Sequence, residues 1–387
     1  MQKNQNLLTN DESTILLKVA QTNAEKEAVY NFRYNVYVEE MDKHRIDADL
    51  NHKMISDLFD DWAINIYAEK SGRIVGVNRL NIAPANKFPK DIIQTLDLKR
   101  FVQLGGLEEN ENITLMTKLM VDKAFRNSPL LYLLMKKSYD LFAEYDIQFG
   151  FGGCNLHLLR LYEQMGLHRY AENFIDGGYG LLFPIVMLAD DVDHFRRVRS
   201  PLYRLARKRT NKNLDKVTWF HKTFQNNSNI INSQIISADS LWDFLCRALK
   251  ASPTNILPIL DGLSVEEAKI FVHSCGIIIQ CQPNNLLTLQ GEVSYSHTIL
   301  LSGKLQSKTI IKPQKHYLPG DYFGANGLTE QNKHIEDIVA IAPSQILVLT
   351  GLGFQRFSSS NFEIAHKIVK NCRQISYHSP YKLTVNK

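Results

Sequence analysis

The sequence predicts two domains in series: an α+β domain built on a mixed sheet flanked by helices, then an antiparallel β-barrel of jelly-roll type with terminal helices. Three observations predict this. At 387 residues the chain exceeds what one ordinary core holds. Between Thr22 and Asp191, alternating strand patterns interleave with capped helical patterns. From Ile277 to Thr350 the apolar runs become short and are separated by Gly, Pro and Asn, as in antiparallel strands. The expected boundaries are a flexible N-terminus at 1–14, the α+β domain at 15–195, a basic connector at 196–238, the barrel domain at 239–375 and a tail at 376–387.

The elements of the first half follow in order. Thr22-x-x-Glu25 is a capping box that opens a helix with apolar positions Ala28, Val29, Phe32, Tyr34 and Val36. Arg33 lies among its aromatic residues, in AVYNFRYNVYVEEM. Asp57-x-x-Asp60 precedes an alternating strand through Trp62, Ile64 and Ile66; Ser71-Gly72 makes the turn, and Ile74 to Leu80 returns, ending in Arg79-Leu80. Ile113 to Val121 alternates well enough to be the central strand, and Pro129 begins the apolar helix LLYLLMKKSYDLF. The stretch Gln148 to Tyr170 is a strand containing Gly150, Gly152 and Gly153, followed by a helix with Leu158, Leu161, Tyr162 and Met165 at helical spacing. Asn155 is placed to cap that helix and Gly166 to end it in the left-handed conformation. A turn at Asp176-Gly177-Gly178 leads to a last strand, YGLLFPIVMLADD.

Composition narrows the function classes. The chain is 44% hydrophobic and 22% charged, and no apolar run approaches the roughly 20 residues that span a bilayer, so no transmembrane segment is expected. The polar start MQKNQNLLTNDES has no signal-peptide core, which predicts a cytoplasmic protein. Cys154, Cys246, Cys275, Cys281 and Cys372 have neither disulfide-framework nor zinc-ligand spacing; buried free thiols and no metal are expected. The net charge of +5 is concentrated between Arg196 and Lys222, where Asp215 is the single acid. Such a segment suits an acidic protein, a nucleic acid or an anionic membrane surface, and a solvated linker accounts for it equally well.

Arg33, Asp57, Asp60 and Arg79 make chemical sense as a set. Two cations and two carboxylates of this kind can hold an acceptor's carboxylate and order or deprotonate its ammonium group. A structural ion-pair network accounts for the same four residues.

The pattern Asn-x-x-Leu-x-x-Leu-Tyr-x-x-x-Gly-Leu from Asn155 resembles the second half of the GNAT acyltransferase core. The resemblance implies that Tyr162 points at the sulfur of the acyl thioester; packing in the core is its alternative role. Arg33, Asp57, Asp60 and the Arg79-Leu80 pair resemble the N-acyl amino acid synthases and acyl-homoserine lactone synthases, which use acylated carrier protein. The likeness runs from Leu16 to Asp191. VDKAFRNSPLL stands where GNAT proteins carry an R/Q-x-x-G-x-G/A loop that holds the coenzyme A pyrophosphate at a helix N-terminus. Arg126 fits its first position, but Pro129 and Leu131 replace the two glycines, and proline has no N–H to donate. The donor implied is therefore an acyl-phosphopantetheine on acyl carrier protein, with acyl-CoA as second choice. Val121, Arg126, Asn127, Ser128 and Asn155 are its expected contacts. The acid-to-arginine pair of the lactone synthases reads Leu115 and Lys118 here, so lactone chemistry is not implied.

In the second half, Ser264-x-x-Glu267 is another capping box. Gln290-Gly291-Glu292, ILLSGKL and LPGDYFG resemble the cyclic nucleotide-binding domain from about Leu257 to Cys372, with two final helices from Gly353 and Asn361. That family's cassette, F-G-E-x-A-L and then P-R-A, is FGANGLTEQNKHIEDIVA here. Ala325 replaces the glutamate and His334 the arginine, which removes a charge-assisted contact to a cyclic phosphate and disfavours cyclic nucleotide. Gly324, Ala325, Asn326, Gly327, Lys333 and His334 remain the candidate ligand site, and a degenerate barrel serving homodimerisation or interdomain contact is favoured. Only Ser376 to Lys387 follows the barrel, too little for a helix-turn-helix, so DNA is not an expected partner.

The function expected is transfer of a fatty acyl group from a phosphopantetheine thioester to the amine of an amino acid or similar small acceptor. Backbone N–H groups of the Val121 strand stabilise the oxyanion, Tyr162 protonates the thiolate, and Asp57 or Asp60 receives the ammonium proton. Arg33 and Arg79 orient the acceptor carboxylate, and the basic connector suits an acidic carrier protein. The alternatives are a coenzyme A-dependent protein lysine acetyltransferase controlled by the barrel, and a non-catalytic nucleotide-sensor-like protein.

Overall fold

The computed structural model describes residues 14–41, 47–126, 128–176, 180–224, 231–308 and 314–378. Strand β1 (Leu16–Val19) leads into α1 (Asn23–Tyr34), which opens on the expected capping box: Thr22 Oγ1 accepts from the Glu25 N–H, and the Glu25 carboxylate accepts from the Thr22 N–H. The helix runs on as a π-helical turn over Asn35–Glu40. A small hairpin of β2 (Ala48–Asp49) and β3 (Met54–Ile55) follows. Asp57 and Asp60 then form a second capping box around the 3₁₀ turn Leu58–Trp62. These reciprocal hydrogen bonds hold Trp62 in the turn, outside the strand expected to include it, and β4 (Ile64–Lys70) starts after it. Ser71 and Gly72, both at positive φ, connect it to β5 (Arg73–Pro84).

Helices α2 (Lys90–Thr95) and α3 (Leu98–Gln103) lead to the central strand β6 (Asn112–Val121). Helix α4 (Leu130–Glu144) begins directly after Pro129 and buries Leu130, Leu134, Met135 and Phe142 against one face of the sheet. Next come β7 (Phe149–Asn155), α5 (Leu159–Met165), β8 (Leu167–Arg169), β9 (Phe174–Asp176) and β10 (Gly180–Leu188). Asn155 stands before a 3₁₀ turn, Leu156–Leu158, and its side chain does not make the cap hydrogen bond expected of it; α5 starts three residues later than a cap there would place it. Gly166 ends α5 at φ 106° as expected. The turn glycines Gly177 and Gly178 lie outside the described residues.

The sheet runs β1-β4-β5-β6-β7-β10-β8, with β9 also on β10, and every pairing is antiparallel except β6 with β7. That parallel pair consists of Thr114 opposite Gly150 and Leu115 opposite Phe151. Beyond it β6 continues to Val121 and β7 to Asn155 without pairing each other, so the sheet parts into a wedge. Gly152 sits at the apex, where a Cβ would lie 3.0 Å from the Met116 carbonyl oxygen.

The basic segment expected to be a connector folds back onto the first domain as α6 (Val192–Arg197), α7 (Tyr203–Lys208) and α8 (Leu214–Phe224). Phe220 and Phe224 join Phe101, Phe149, Phe151 and Tyr170 in a core on the second face of the sheet. Buried Arg209 pairs with Asp190 at 3.1 Å, and Lys216 with Glu111 at 2.6 Å. β10 is antiparallel to β7 and ends opposite Phe149, so these helices leave the sheet at the end away from the wedge.

The second domain opens with α9 (Ala238–Leu249), α10 (Pro253–Ile256) and α11 (Val265–Cys275), the last carrying the Ser264/Glu267 capping box. Its strands are β11 (Gly276–Cys281), β12 (Leu286–Thr288), β13 (Ser296–Ser302), β14 (Leu305–Ser307), β15 (His316–Tyr317), β16 (Tyr322–Phe323), β17 (Ile338–Ala340) and β18 (Ser344–Thr350), followed by α12 (Gly351–Ser358) and α13 (Phe362–His378). They form two four-stranded antiparallel sheets, β11-β18-β13-β16 and β12-β17-β14-β15, that share one core. Several strands are only two or three residues long, and no ladder joins the two sheets among the described residues, so the expected barrel is barrel-like rather than closed.

Strand β11 is an edge, and an edge leaves a row of unpaired backbone groups. The first domain supplies the partners. The carbonyls of Gly276, Ile278 and Gln280 accept from Arg160 Nη1 at 3.2 Å, Arg169 Nη1 at 3.1 Å and Asn173 Nδ2 at 3.2 Å. Buried Glu163 fixes Arg169 through its Nε at 2.6 Å. The second domain is thereby docked on α5 and β8. Gly166→Ala is expected to lose roughly 2–5 kcal/mol in urea unfolding, because a Cβ there meets the Phe195 ring at 2.2 Å in a left-handed backbone.

Candidate active site

Five elements meet around one carboxylate. Asp60, held in the 3₁₀ turn by its capping box, accepts from Arg33 Nη1 with both oxygens at 2.9 Å and from Arg79 Nη1 at 2.9 Å. Arg33 Nη2 donates to Asn65 Oδ1 on β4, and Arg79 Nε donates to Thr117 Oγ1 on β6. Arg79 also donates to Asp57 Oδ1, whose second oxygen lies 3.6 Å from Lys118 Nζ; Lys118 in turn reaches Asp47 at 3.2 Å. Three cations and three carboxylates therefore alternate from the buried interior outward.

The chain of charges has a closed end and an open end. The Arg33 side chain has no exposed surface and that of Asp60 has 3%, whereas Asp57 keeps 26%. Burial pushes the Asp57 carboxyl up, but the Arg79 hydrogen bond and charge, with Lys118 behind them, outweigh it and hold the group below its ordinary value. Burial lowers the Arg33 pKa, and Asp60 opposes that shift. Of the four residues read as a set, Arg33, Asp60 and Arg79 are thus brought together as an ion-pair network, and Asp57 is the one that presents a carboxylate outward.

The wedge has its own irregularity. Val77 pairs with Met120 and Arg79 with Thr117, so Lys118 and Leu119 together face Asn78 in a bulge, with Lys118 at φ 54°. A bulge takes backbone groups out of the ladder and aims them elsewhere. On the far side of the wedge, Tyr162 of α5 is partly exposed near Cys154 and Tyr37, and burial raises its phenol above the ordinary value. Tyr37 also lies under Lys118 Nζ, 5.6 Å from the ring centroid, so it stands between Tyr162 and the charge network.

The donor loop is largely occupied by its own chain. Arg126 donates from Nε to the Val121 carbonyl at 3.2 Å and pairs with Glu40 at 2.5 Å. Ser128 Oγ donates to the Phe125 carbonyl and accepts from the Leu130 N–H. Asn127 lies outside the described residues. The second domain reaches the region of Arg126 and Glu40: the Tyr295 ring stacks on His157 at 4.5 Å between centroids, and its phenol is raised by burial, opposed by Arg126 and reinforced by Glu40 and Glu292.

Three backbone N–H groups in the cassette of the second domain are bonded within the chain. The Ala325 N–H donates to His334 Nδ1 at 3.0 Å, the Gly327 N–H to the Ser296 carbonyl at 2.8 Å, and the Leu328 N–H to Asn326 Oδ1 at 3.1 Å. Burial lowers the His334 pKa to about 4, so the imidazole is neutral at pH 7. Lys333 is exposed and Gly324 has φ 72°.

Residues 32–136 match the family described as Acetyltransferase (GNAT) domain. This segment is a GNAT domain. Among solved structures, the chain is similar to FeeM, an N-acyl amino acid synthase from uncultured soil microbes, at 12% identity and TM-score 0.38 over 50% of this chain and 98% of that one. It is similar to the AHL synthase LasI at 15% identity and TM-score 0.35 over 46% of this chain and 90% of that one. Similarity to a cyclic nucleotide-binding domain from Methylobacillus flagellatus KT has 14% identity and TM-score 0.30 over 36% of this chain and 79% of that one. No curated protein sequence matches the chain. No helix among the described residues is long and apolar enough to cross a membrane.

Several residues of the charge network and its surroundings were not singled out by sequence: Tyr37, Asp47, Asn65 and Thr117. Tyr37 follows Arg33 by four positions, a helical spacing that could have placed it beside the set. Lys118 was noted only as a departure from the lactone synthases. Tyr295 lies far from Arg126 along the chain, with no local signal at all.

Asp60→Asn is expected to cost roughly 3–5 kcal/mol, since it leaves the buried Arg33 guanidinium without a carboxylate and Arg79 with Asp57 alone, and Asp57→Asn less than half of that. The Asp57 contribution has a sign in pH. Its folded pKa is depressed, so the stabilisation is present above the unfolded value near 4 and fades as pH falls through the folded value. Urea unfolding at pH 7 and pH 3 should show the gap between wild type and Asp57→Asn narrowing at the lower pH.

Proposed function

We propose that the GNAT domain moves an acyl group from a phosphopantetheine thioester to a small amine in the wedge between β6 and β7. The observation that carries this reading is the parting of those strands after Leu115 and Phe151, with the Lys118 bulge on one side and Tyr162 on the other. In this reading the thioester lies along β6, and backbone N–H groups of that strand receive the oxyanion. The amine attacks the carbonyl carbon, the carbon–sulfur bond breaks, and Tyr162, whose raised pKa keeps it protonated, delivers the proton to the leaving sulfur. Asp57 holds the acceptor ammonium before its first proton passes to water; the attacking nitrogen loses a second proton to water as the amide forms, and solvent reprotonates Tyr162. Its depressed pKa suits ionic positioning better than strong general-base work.

Arg33, Arg79 and Asp60 take a different part from the one expected of them. Their charges are engaged with one another, so we assign them the positioning of Asp57 and state the acceptor as a small amine; an amino acid remains the more specific form suggested by the sequence resemblance. The carrier-bound donor rests on the loop, where Arg126 and Ser128 are already engaged and Pro129 has no N–H, which leaves a poor pyrophosphate cradle. Positive charge on α6 to α8 does not add to that argument, because those helices start at the opposite end of the sheet. The second domain is assigned interdomain support of α5, and the Ala325, Gly327 and Leu328 N–H groups of its cassette are already bonded within the chain.

Mass spectrometry of lipid extracts from cells expressing the chain is the direct test. New N-acyl amines are expected with wild type and a fall of roughly 100-fold or more with Tyr162→Phe at unchanged circular dichroism. No new lipid, together with turnover of acetyl-CoA on protein lysine, would replace this reading with the acetyltransferase one. For the second domain, saturating cyclic AMP or cyclic GMP is expected to leave the thermal midpoint unchanged. A rise of several degrees, as mass action gives for a real ligand, would contradict the assignment.

A further inference from the structure

A group of histidines and one aspartate lies outside the wedge, where α6 and α8 meet β8. His168 comes from β8, Asp191 caps α6, His194 lies in its first turn, and His221 projects from α8. One ligand atom from each of His168, Asp191 and His194 lies within 4.8 Å of the other two. His168 Nε2 is 3.2 Å from Asp191 Oδ2, and the His168 and His194 rings stack at 3.7 Å between centroids. Asp191 and His194 are 3% and 5% exposed.

The hydrogen bonding is uneven in a way that points to a ligand. Asp191 Oδ1 accepts from the His194 backbone N–H at 3.0 Å as the helix cap, and Oδ2 faces His221 Nε2 at 2.7 Å. His194 Nε2, by contrast, is buried without a hydrogen-bond partner, and His168 Nε2 has only its contact with Asp191 Oδ2. Burying a polar nitrogen without a partner is unfavourable, and here His194 Nε2 belongs to a group whose ligand atoms lie within 4.8 Å of one another. Four-coordinate zinc has ligand bonds of about 2.0–2.1 Å, which puts its ligand atoms about 3.3 Å apart, close to the His168–Asp191 separation.

We propose that His168, Asp191 and His194 bind one divalent transition-metal ion of the zinc class, with His221 orienting the Asp191 carboxylate from outside and water completing the coordination. Imidazole donors select against magnesium and calcium and suit zinc, copper, nickel or iron(II). The hydrogen-bonded His221 is the outer partner such a carboxylate ligand usually has. The ion ties β8, the turn after β10 and α6 together, and through His221 it fastens α8 over the aromatic core. It is a structural site remote from the wedge, and it stands independently of the acyltransferase reading.

The test uses the full chain, purified without an immobilised-metal step and stripped with chelator. Titration with zinc against a chromophoric competitor should give one equivalent bound, with a rise in thermal midpoint. Cobalt(II) should give the visible bands of a tetrahedral or five-coordinate site. His194→Asn and Asp191→Asn, the latter keeping a helix cap, should each weaken zinc at least about 100-fold, and His221→Gln by about 10- to 100-fold. Less than a fifth of an equivalent bound to folded wild type overturns the proposal. So does zinc binding that folded His194→Asn and Asp191→Asn leave unchanged, because the ion would then sit elsewhere, for example on the free cysteines. If those variants do not fold, the wild-type stoichiometry and cobalt spectrum decide, since thiolate ligation produces an intense near-ultraviolet charge-transfer band that this nitrogen and oxygen set lacks.

Discussion

The Asp60 carboxylate, shared between Arg33 and Arg79, is where the first domain is tied together. Neither guanidinium could be buried alone, because an unpaired charge away from water is far costlier than the pair. Once paired, they join α1, the 3₁₀ turn, β4, β5 and β6 in one arrangement. The pairing also fixes the direction of Asp57, which Arg79 and Lys118 hold ionised near the surface. Charges that look like substrate contacts in the sequence are engaged with one another, and Asp57 is the most exposed carboxylate of the network.

A second constraint is geometric. The sheet holds one parallel pair, and that pair is short, so two strands that begin together must diverge. Divergence leaves backbone groups unpaired on both, which an antiparallel sheet would not tolerate in its middle. A bulge at Lys118 adds to this on β6, and α5 leaves from the end of β7 carrying Tyr162. The wedge is thus a consequence of topology, and α5, which follows β7 after one 3₁₀ turn, carries Tyr162 close to Cys154 and Tyr37.

The second domain closes a problem that its own fold creates. Strand β11 is an edge with carbonyls exposed at alternate residues, and Arg160, Arg169 and Asn173 occupy three of them in register. Because Arg160 and Arg169 flank Tyr162 in sequence, the edge is covered by the segment that also forms the wedge. Tyr295 stacked on His157 extends the contact towards the donor loop. Covering an edge strand in this way removes a template for unwanted pairing.

Much of this was legible in the chain itself. The capping boxes at Thr22 and Ser264, the Gly166 helix end, the Ser71-Gly72 turn and the central strand are set by local chemistry, in which the residues that make the hydrogen bonds or adopt positive φ are neighbours in sequence; the Asp57/Asp60 box is equally local but was read only as a pair of charges before a strand. Asn155 was misread as a side-chain cap because a 3₁₀ turn intervenes, a choice between two close helical geometries that spacing alone does not make. The basic segment reads as a connector by charge, yet Phe220 and Phe224 at helical spacing carry it back onto the sheet. Tertiary structure alone decided which charges are buried, since Arg33 and Asp60 are 27 residues apart and only the packing of α1 over β5 excludes water from both. It also decided that His168, Asp191 and His194 converge, and that Tyr295 meets His157. Those neighbours are made by the fold, and a sequence records the residues without the distance between them.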